Sequence, residues 1–281
     1  MKLARYELGG RADIGVVRED GVVGLREVGF GYGDMPALIA AGGDVLDEIR
    51  RRVADEPGHH RLEDVRLLAP LRPGKYLAIG MNYAKHVAEM GHAERPKFQY
   101  WFNKQTTCIN GPFDPIDPGV TEMLDYEVEL GVVIGRVAKG VKAADALDHV
   151  FGYLVANDVS ARDWQRHSPT FTMGKSFDTH GPIGPWIVTA DEIPDPQSLA
   201  LRCLVNGEVR QQSNTADMSF SVAEQIEYLS TAFTLEPGDL LATGTPEGVG
   251  AAMDPPRFLK AGDVVRCEID GIGAIENRVA G

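Results

Sequence analysis

The chain has 281 residues, 43% of them hydrophobic and 25% charged, a globular composition long enough for one large core and a small accessory unit, which excludes disordered and fibrous classes. Its 28 basic and 41 acidic residues leave a formal net charge of -13, which disfavours a phosphate-tracking surface and with it a nucleic-acid partner. Cys108, Cys203 and Cys267 form no C-x-x-C pair, no apolar run approaches a membrane span, and Arg5, Arg11, Asp13, Arg18 and Glu19 interrupt the first twenty residues, so a cytoplasmic protein without a membrane partner is expected.

Residues 1–70 read as short strands with Gly turns, then a helix from Asp44 towards Ala54, and carry no chemistry. The stretch Ala69-Pro70-Leu71-Arg72-Pro73-Gly74 marks a boundary, giving a small N-terminal domain over 1–70 and a main domain over 71–281. Beyond it, strand-like runs fall at Tyr76–Ile79, Tyr126–Ile134, Val150–Val155, Trp186–Val188, Leu199–Val205, Leu240–Thr243 and Val264–Ile269. Helical patterns are fewer, near Asn82–Met90, Ser160–Arg166 and Val222–Leu229, so the fold class is α+β and rich in sheet.

The first of these helices reads as capped by Asn82 and stopped by Gly91, with His86 and Glu89 on one face. A carboxylate beside an imidazole orients it and favours its protonated form, as a water-activating base requires, although a surface ion pair has the same spacing. In Leu124-Asp125-Tyr126-Glu127-Val128-Glu129-Leu130 the period of two puts Glu127 and Glu129 side by side. Such a pair is ordinarily a solvated face, but Gly131-Val132-Val133-Ile134 follows directly and implies that the strand runs into the core, where carboxylates need a partner. A further carboxylate, Asp158, ends the Val150–Val155 run ahead of Ser160, a plausible helix cap. If those strands are neighbours, three hard oxygen ligands converge, a set that suits Mg²⁺ or Mn²⁺ better than zinc. Arg162 and Gln165 share a helix face, and Lys175 follows; together they could hold an anionic substrate. Thr243-Gly244-Thr245-Pro246, at a strand end, offers N–H and hydroxyl donors to a carboxylate, or is a tight turn.

In this order the motifs D-Y-E-V-E-L, A-N-D-V-S-A-R-D-W-Q, G-K-S-F-D-T-H-G-P and T-G-T-P-E-G-V-G resemble the fumarylacetoacetate hydrolase family, over about Lys75 to Asn277. The resemblance implies a β-rich mixed fold, commonly a homodimer, with Glu127, Glu129 and Asp158 binding Mg²⁺ or Mn²⁺. It implies a catalytic His86–Glu89 pair on a lid-like segment, and Arg162, Gln165, Lys175 and Thr245 against the substrate. Where many members read F-x-K-P, this chain has Phe102-Asn103-Lys104-Gln105, a form similar to the branch acting on diketo-deoxy sugar acids. The expected activity is hydrolysis of a C–C bond in a small anionic 2-oxo acid of the acylpyruvate type. There the cation would act as Lewis acid, the dyad would activate water, and Gln165 or Lys175 would steady the oxyanion. Decarboxylation of a 2-oxo acid, or isomerisation or hydration of a hydroxydienoate, would use the same site.

Overall fold

In the computed structural model, which describes residues 1–91 and 94–281, the apolar middle of the chain forms the centre of one large sheet. Val150–Asn157 lies between Val128–Ile134 and Gly181–Thr189, antiparallel to both, and every residue of Val128–Ile134 and Val150–Asn157 is buried. Strands with both faces covered read as continuous apolar runs, as these do. Leu240–Ala242 continues the sheet from Val128–Ile134, followed by Tyr76–Gly80 and the edge strand Tyr100–Lys104. At the opposite side Lys2–Leu8 pairs with Gly181–Thr189, so the N-terminal strands join the same sheet through Lys2–Val188 and Leu3–Ile187.

Each face of this sheet has its own cover. Val128, Leu130 and Val132 share a core with Cys203, Val205, Val265 and Ile269 of an antiparallel four-stranded sheet, ordered 208–214, 200–205, 264–269, 273–278. Val133, Leu154 and Ala156 on the other face meet Leu38, Ile49 and Val53 from helices Met35–Ala40 and Gly43–Val53. Gly131 is required because Leu154 already fills its face: an added Cβ would lie 2.3 Å from Leu154 Cδ1.

The expected Tyr126–Ile134 strand is broken. Leu124–Asp125 pairs with Ser160–Ala161 in a separate ribbon, and the main ladder resumes at Val128. The break has a local cause: the Tyr126 amide donates to the Asp125 carboxylate and the Glu127 amide to Asn157 Oδ1, so both leave the ladder. Ser160 is therefore a strand residue, its hydroxyl donating to the Asp158 carbonyl, and the helix Arg162–Gln165 begins after Ala161 instead. Asn82 does not cap its helix either; Ala84–Glu89 starts after Tyr83. The Asn82 amide is wholly buried, donating to the carbonyls of Thr243 and Phe220 and accepting from the Phe220 amide. Its loss leaves the Thr243 carbonyl and the Phe220 amide without partners, while Gln225 still donates to the Phe220 carbonyl, so Asn82→Ala is expected to cost about 3 kcal/mol of stability, read as a lower urea midpoint at unchanged m-value.

Strands Tyr100–Lys104, Glu208–Asn214 and Gly273–Arg278 were not anticipated. They lie at sheet edges, where Asn103, Gln212, Glu276 and Arg278 face solvent and the apolar alternation is lost. Among the described residues no helix is long and apolar enough to cross a membrane.

Candidate active site

The register that pairs Ala156 with Glu129 and Asn157 with Val128 brings Asp158 beside the E-x-E pair, and the Asp158 amide donates to the Glu127 carbonyl at 2.9 Å. Glu127, Glu129 and Asp158 are all buried, and a carboxylate oxygen from each lies within 4.8 Å of the others. Buried carboxylates are costly without compensation. Lys175 Nζ donates to Glu127 at 2.7 Å and to Asp158 at 2.8 Å, Lys104 Nζ donates to the other Asp158 oxygen, and Arg162 Nη2 is 2.7 Å from Glu127. Burial pushes the Glu127 carboxyl up, but Lys175 and Arg162 outweigh it and hold the group down to about 2. Glu129 has no cation against it among the described residues; it accepts only the Gly244 amide, at 2.8 Å. Burial, reinforced by Asp158 and Glu127, pushes its carboxyl well above the usual carboxylate range.

Arg162 is held by Asp125, which is fully buried and accepts from Arg162 Nε at 2.9 Å and from the amides of Gly250 and Ala251. Arg162 Nη1 donates to Gln165 Oε1 at 3.0 Å, so the pair expected on one helix face is in contact. Lys175 reaches the triad because Gly174 lets its helix, Thr172–Lys175, touch Arg162–Gln165: an added Cβ would lie 2.2 Å from the Gln165 amide nitrogen.

His86 Nδ1 is 2.7 Å from Glu89 Oε1, and Glu89 Oε2 accepts the Gly248 amide at 2.8 Å. The T-G-T-P-E-G-V-G segment thus serves the protein's own carboxylates, Gly244 at Glu129 and Gly248 at Glu89. Gly248 has φ +99°, and a Cβ there would lie 2.0 Å from the Arg210 carbonyl. The hydroxyl of Thr245 is likewise committed, donating to the Val128 carbonyl and accepting from Gln211. A cavity of about 80 Å³ lies here, its polar lining made by His86, Glu127, Arg162, Gln165, Lys175 and Thr245.

Asp125, Lys104, Asn82 and Gln211 were not picked out as site residues from the sequence. Asp125 and Lys104 sit inside motifs already singled out, D-Y-E-V-E-L and F-N-K-Q, and a buried charge beside a ligand set was the available signal. Gln211 lies in the polar edge strand and carried none; its amide accepts from Val128 and donates to Thr245 and Pro246.

Three clustered buried carboxylates beside an imidazole paired with a carboxylate are a donor set that suits a hard divalent cation. Residues 75–280 match the family model of the fumarylacetoacetate (FAA) hydrolase C-terminal domain, and the chain belongs to that family. It is 50% identical over 220 residues to the mitochondrial oxaloacetate tautomerase of Xenopus laevis, covering 77% of this chain and 69% of that protein. Against a putative hydrolase of Burkholderia ambifaria the identity is 46%, over 97% of this chain and 96% of the other. A fumarylacetoacetate hydrolase from Exiguobacterium antarcticum superposes with a TM-score of 0.88 at 39% identity, over 100% of this chain and 99% of that one. A maleylpyruvate hydrolase from Sphingobium, solved with manganese(II) and pyruvate, gives 0.82 at 31% identity, over 100% and 99%.

Proposed function

We propose that this chain is a divalent-metal-dependent enzyme that cleaves a C–C bond in an acylpyruvate-type 2,4-dioxo acid. The observation that carries the reading is that Glu127 of the carboxylate cluster and His86 of the His86–Glu89 dyad line one small cavity. Charge supports it. Asp125, Glu127, Glu129 and Asp158 face Arg162, Lys104 and Lys175, so the deprotonated cluster is one positive charge short, and the deficit falls on Glu129. A divalent ion held by Glu127, Glu129 and Asp158 over-corrects by one charge, which the carboxylate of a 2-oxo acid then balances. When bound, that ion supplies Lewis-acid stabilisation for charge developing on the 2-oxo group.

The chain's own residues account for the rest. Glu89 accepts the Nδ1 proton of His86, which leaves Nε2 as the basic nitrogen and fixes the ring against the cavity. His86 takes a proton from water, the resulting hydroxide attacks the acyl carbonyl, and the bond to the pyruvyl carbon breaks as that fragment departs as enolate and takes back the proton held by His86, leaving pyruvate and the carboxylic acid. The Lys175 ammonium, fixed by Glu127 and Asp158, lies where it can steady the oxyanion, and Gln165 with Arg162 orients the substrate. A cytoplasmic homodimer acting on a small anionic substrate, without nucleic acid or membrane, belongs to the same reading; the acidic net charge supports only its lack of a nucleic-acid partner.

A second reading, enol–keto proton transfer on oxaloacetate, is favoured by the identity to the Xenopus laevis tautomerase. Turnover of 2,4-dioxopentanoate with Mn²⁺ in ¹⁸O-water separates the two: hydrolysis places one label in the released acetate, and proton transfer releases none. His86→Ala is expected to lower hydrolysis by about 10²- to 10⁴-fold with little change in Mn²⁺ binding. Full cleavage activity in that variant refutes the dyad's role.

A further inference from the structure

The rest of the cavity's lining includes the apolar side chains Ile79, Met81, Met90, Phe102 and Phe171, with Phe102 lying under the Lys175 ammonium at 5.2 Å. Two of these have an unusual backbone. Among the described residues only four other than glycine have positive φ, and Met81 (φ +58°) and Phe171 (φ +60°) are two of them. Large side chains avoid this conformation because Cβ crowds the following carbonyl, and it persists where the surroundings over-determine it. Here both outliers line the same cavity. Phe171 is further fixed by its rings' neighbours, Phe102 at 5.8 Å and Tyr100 at 5.4 Å between centroids, and Tyr100 is itself anchored by its hydroxyl to the Pro169 carbonyl at 3.0 Å. Phe171 also begins the Thr172–Lys175 helix, so the residue aiming an aromatic ring at the cavity is joined to the one that delivers Lys175.

Among the described residues, both cations that line the cavity are already paired. Arg162 is held by Asp125, Gln165 and Glu127, and Lys175 by Glu127 and Asp158. One substrate carboxylate is accommodated by the charge balance given above, but a second, held against Phe171 and Met81, would lose its hydration without a counter-charge of its own.

Resting on the reading in the preceding subsection, we infer that Phe171 and Met81 are specificity-determining residues that select a 2-oxo acid whose distal end is uncharged and apolar, a short alkyl or aryl acyl group, and reject one ending in a second carboxylate. The test needs no turnover. In the presence of Mn²⁺, the binding of 2-oxohexanoate and 2-oxoadipate, equal in carbon number and differing in a terminal methyl or carboxylate, is measured by calorimetry on the wild-type chain, Phe171→Ala and Phe171→Gly. The wild type is expected to bind 2-oxohexanoate at least tenfold more tightly. Both variants should bring the two dissociation constants to within about threefold by weakening 2-oxohexanoate alone. Because glycine accepts positive φ at no steric cost, Phe171→Gly should melt no lower than Phe171→Ala, which separates loss of the ring from backbone damage. Tighter or equal binding of 2-oxoadipate by the wild type, equal weakening of both acids in the variants, or no binding of either acid overturns the inference. Failure of the function itself shows separately, as absence of Mn²⁺-dependent cleavage of 2,4-dioxopentanoate.

Discussion

Glu129→Gln is expected to abolish stabilisation by Mg²⁺ or Mn²⁺ while leaving the metal-free protein as stable as its parent, or more so. Glu127 and Asp158 are already neutralised by Lys175, Lys104 and Arg162, whereas Glu129 has one backbone N–H and, among the described residues, no cation, so it is the ligand whose charge awaits the ion. Glutamine keeps an oxygen for the Gly244 amide and removes the uncompensated charge. At an ion concentration one hundred times its dissociation constant, binding stabilises the parent by about 2.7 kcal/mol. For a chain of this size that is a rise in Tm of roughly 5 °C, and the variant should show almost none. The pH dependence gives the same conclusion a second test. Burial, then Asp158 and Glu127, raise the Glu129 carboxyl above its unfolded value. The metal-free native state therefore keeps a proton that the unfolded chain has released, and that stability is fully present below the ordinary carboxylate range and lost as pH rises through the raised value. Glu129→Gln should flatten this fall. With metal the trend reverses, because the ion displaces the proton and binds better as pH rises. An undiminished Mn²⁺ shift in Glu129→Gln would remove Glu129 from the ligand set.

How much of this site could be read in advance depended on how local each interaction is. Period two was enough to place Glu127 and Glu129 together, and helical spacing was enough for His86 with Glu89 and Arg162 with Gln165, because neighbours in those elements are fixed by backbone geometry. The strand pairing that adds Asp158 was conditional on adjacency, which no local pattern encodes, yet the family motifs supplied it. What stayed hidden was the polar scaffolding between distant segments: Lys104 to Asp158, Asp125 to Gly250, Gln211 to Val128 and Asn82 to Thr243. Each is a single polar residue whose partner lies at least 54 positions away, and a lone Asn or Gln in an edge strand looks the same whether it faces water or a buried carbonyl. Thr245 illustrates the converse. Its hydroxyl suggested a donor to substrate, but the main sheet claims it first, through the Val128 carbonyl left bare where the strand breaks at Tyr126 and Glu127. Backbone groups at an irregular strand end must be satisfied before any ligand arrives.

Gly174→Ala is expected to damage both stability and turnover by adding a single methyl group beside the site. The new Cβ would lie 2.2 Å from the Gln165 amide nitrogen, 2.4 Å from its Cα and 2.6 Å from the Ala161 carbonyl oxygen. All three are backbone atoms, so no rotamer change relieves the contact and the helices Arg162–Gln165 and Thr172–Lys175 must separate. Overpacking of this kind costs on the order of 3 kcal/mol. The functional loss should exceed what stability explains, since separation withdraws Lys175 Nζ from Glu127 and Asp158 and leaves two buried carboxylates short of a counter-charge. A displacement near 1 Å at a catalytic group costs roughly 10²-fold in rate, and that loss should persist at temperatures where the variant is fully folded. Gly43→Ala provides the control, because nothing lies within 4 Å of the Cβ it would add at the start of helix Gly43–Val53, and it should leave both the denaturation midpoint and Mn²⁺-dependent turnover unchanged. If Gly174→Ala retained parental turnover while folded, the contact between these two short helices could not be what sets the Lys175 ammonium in place.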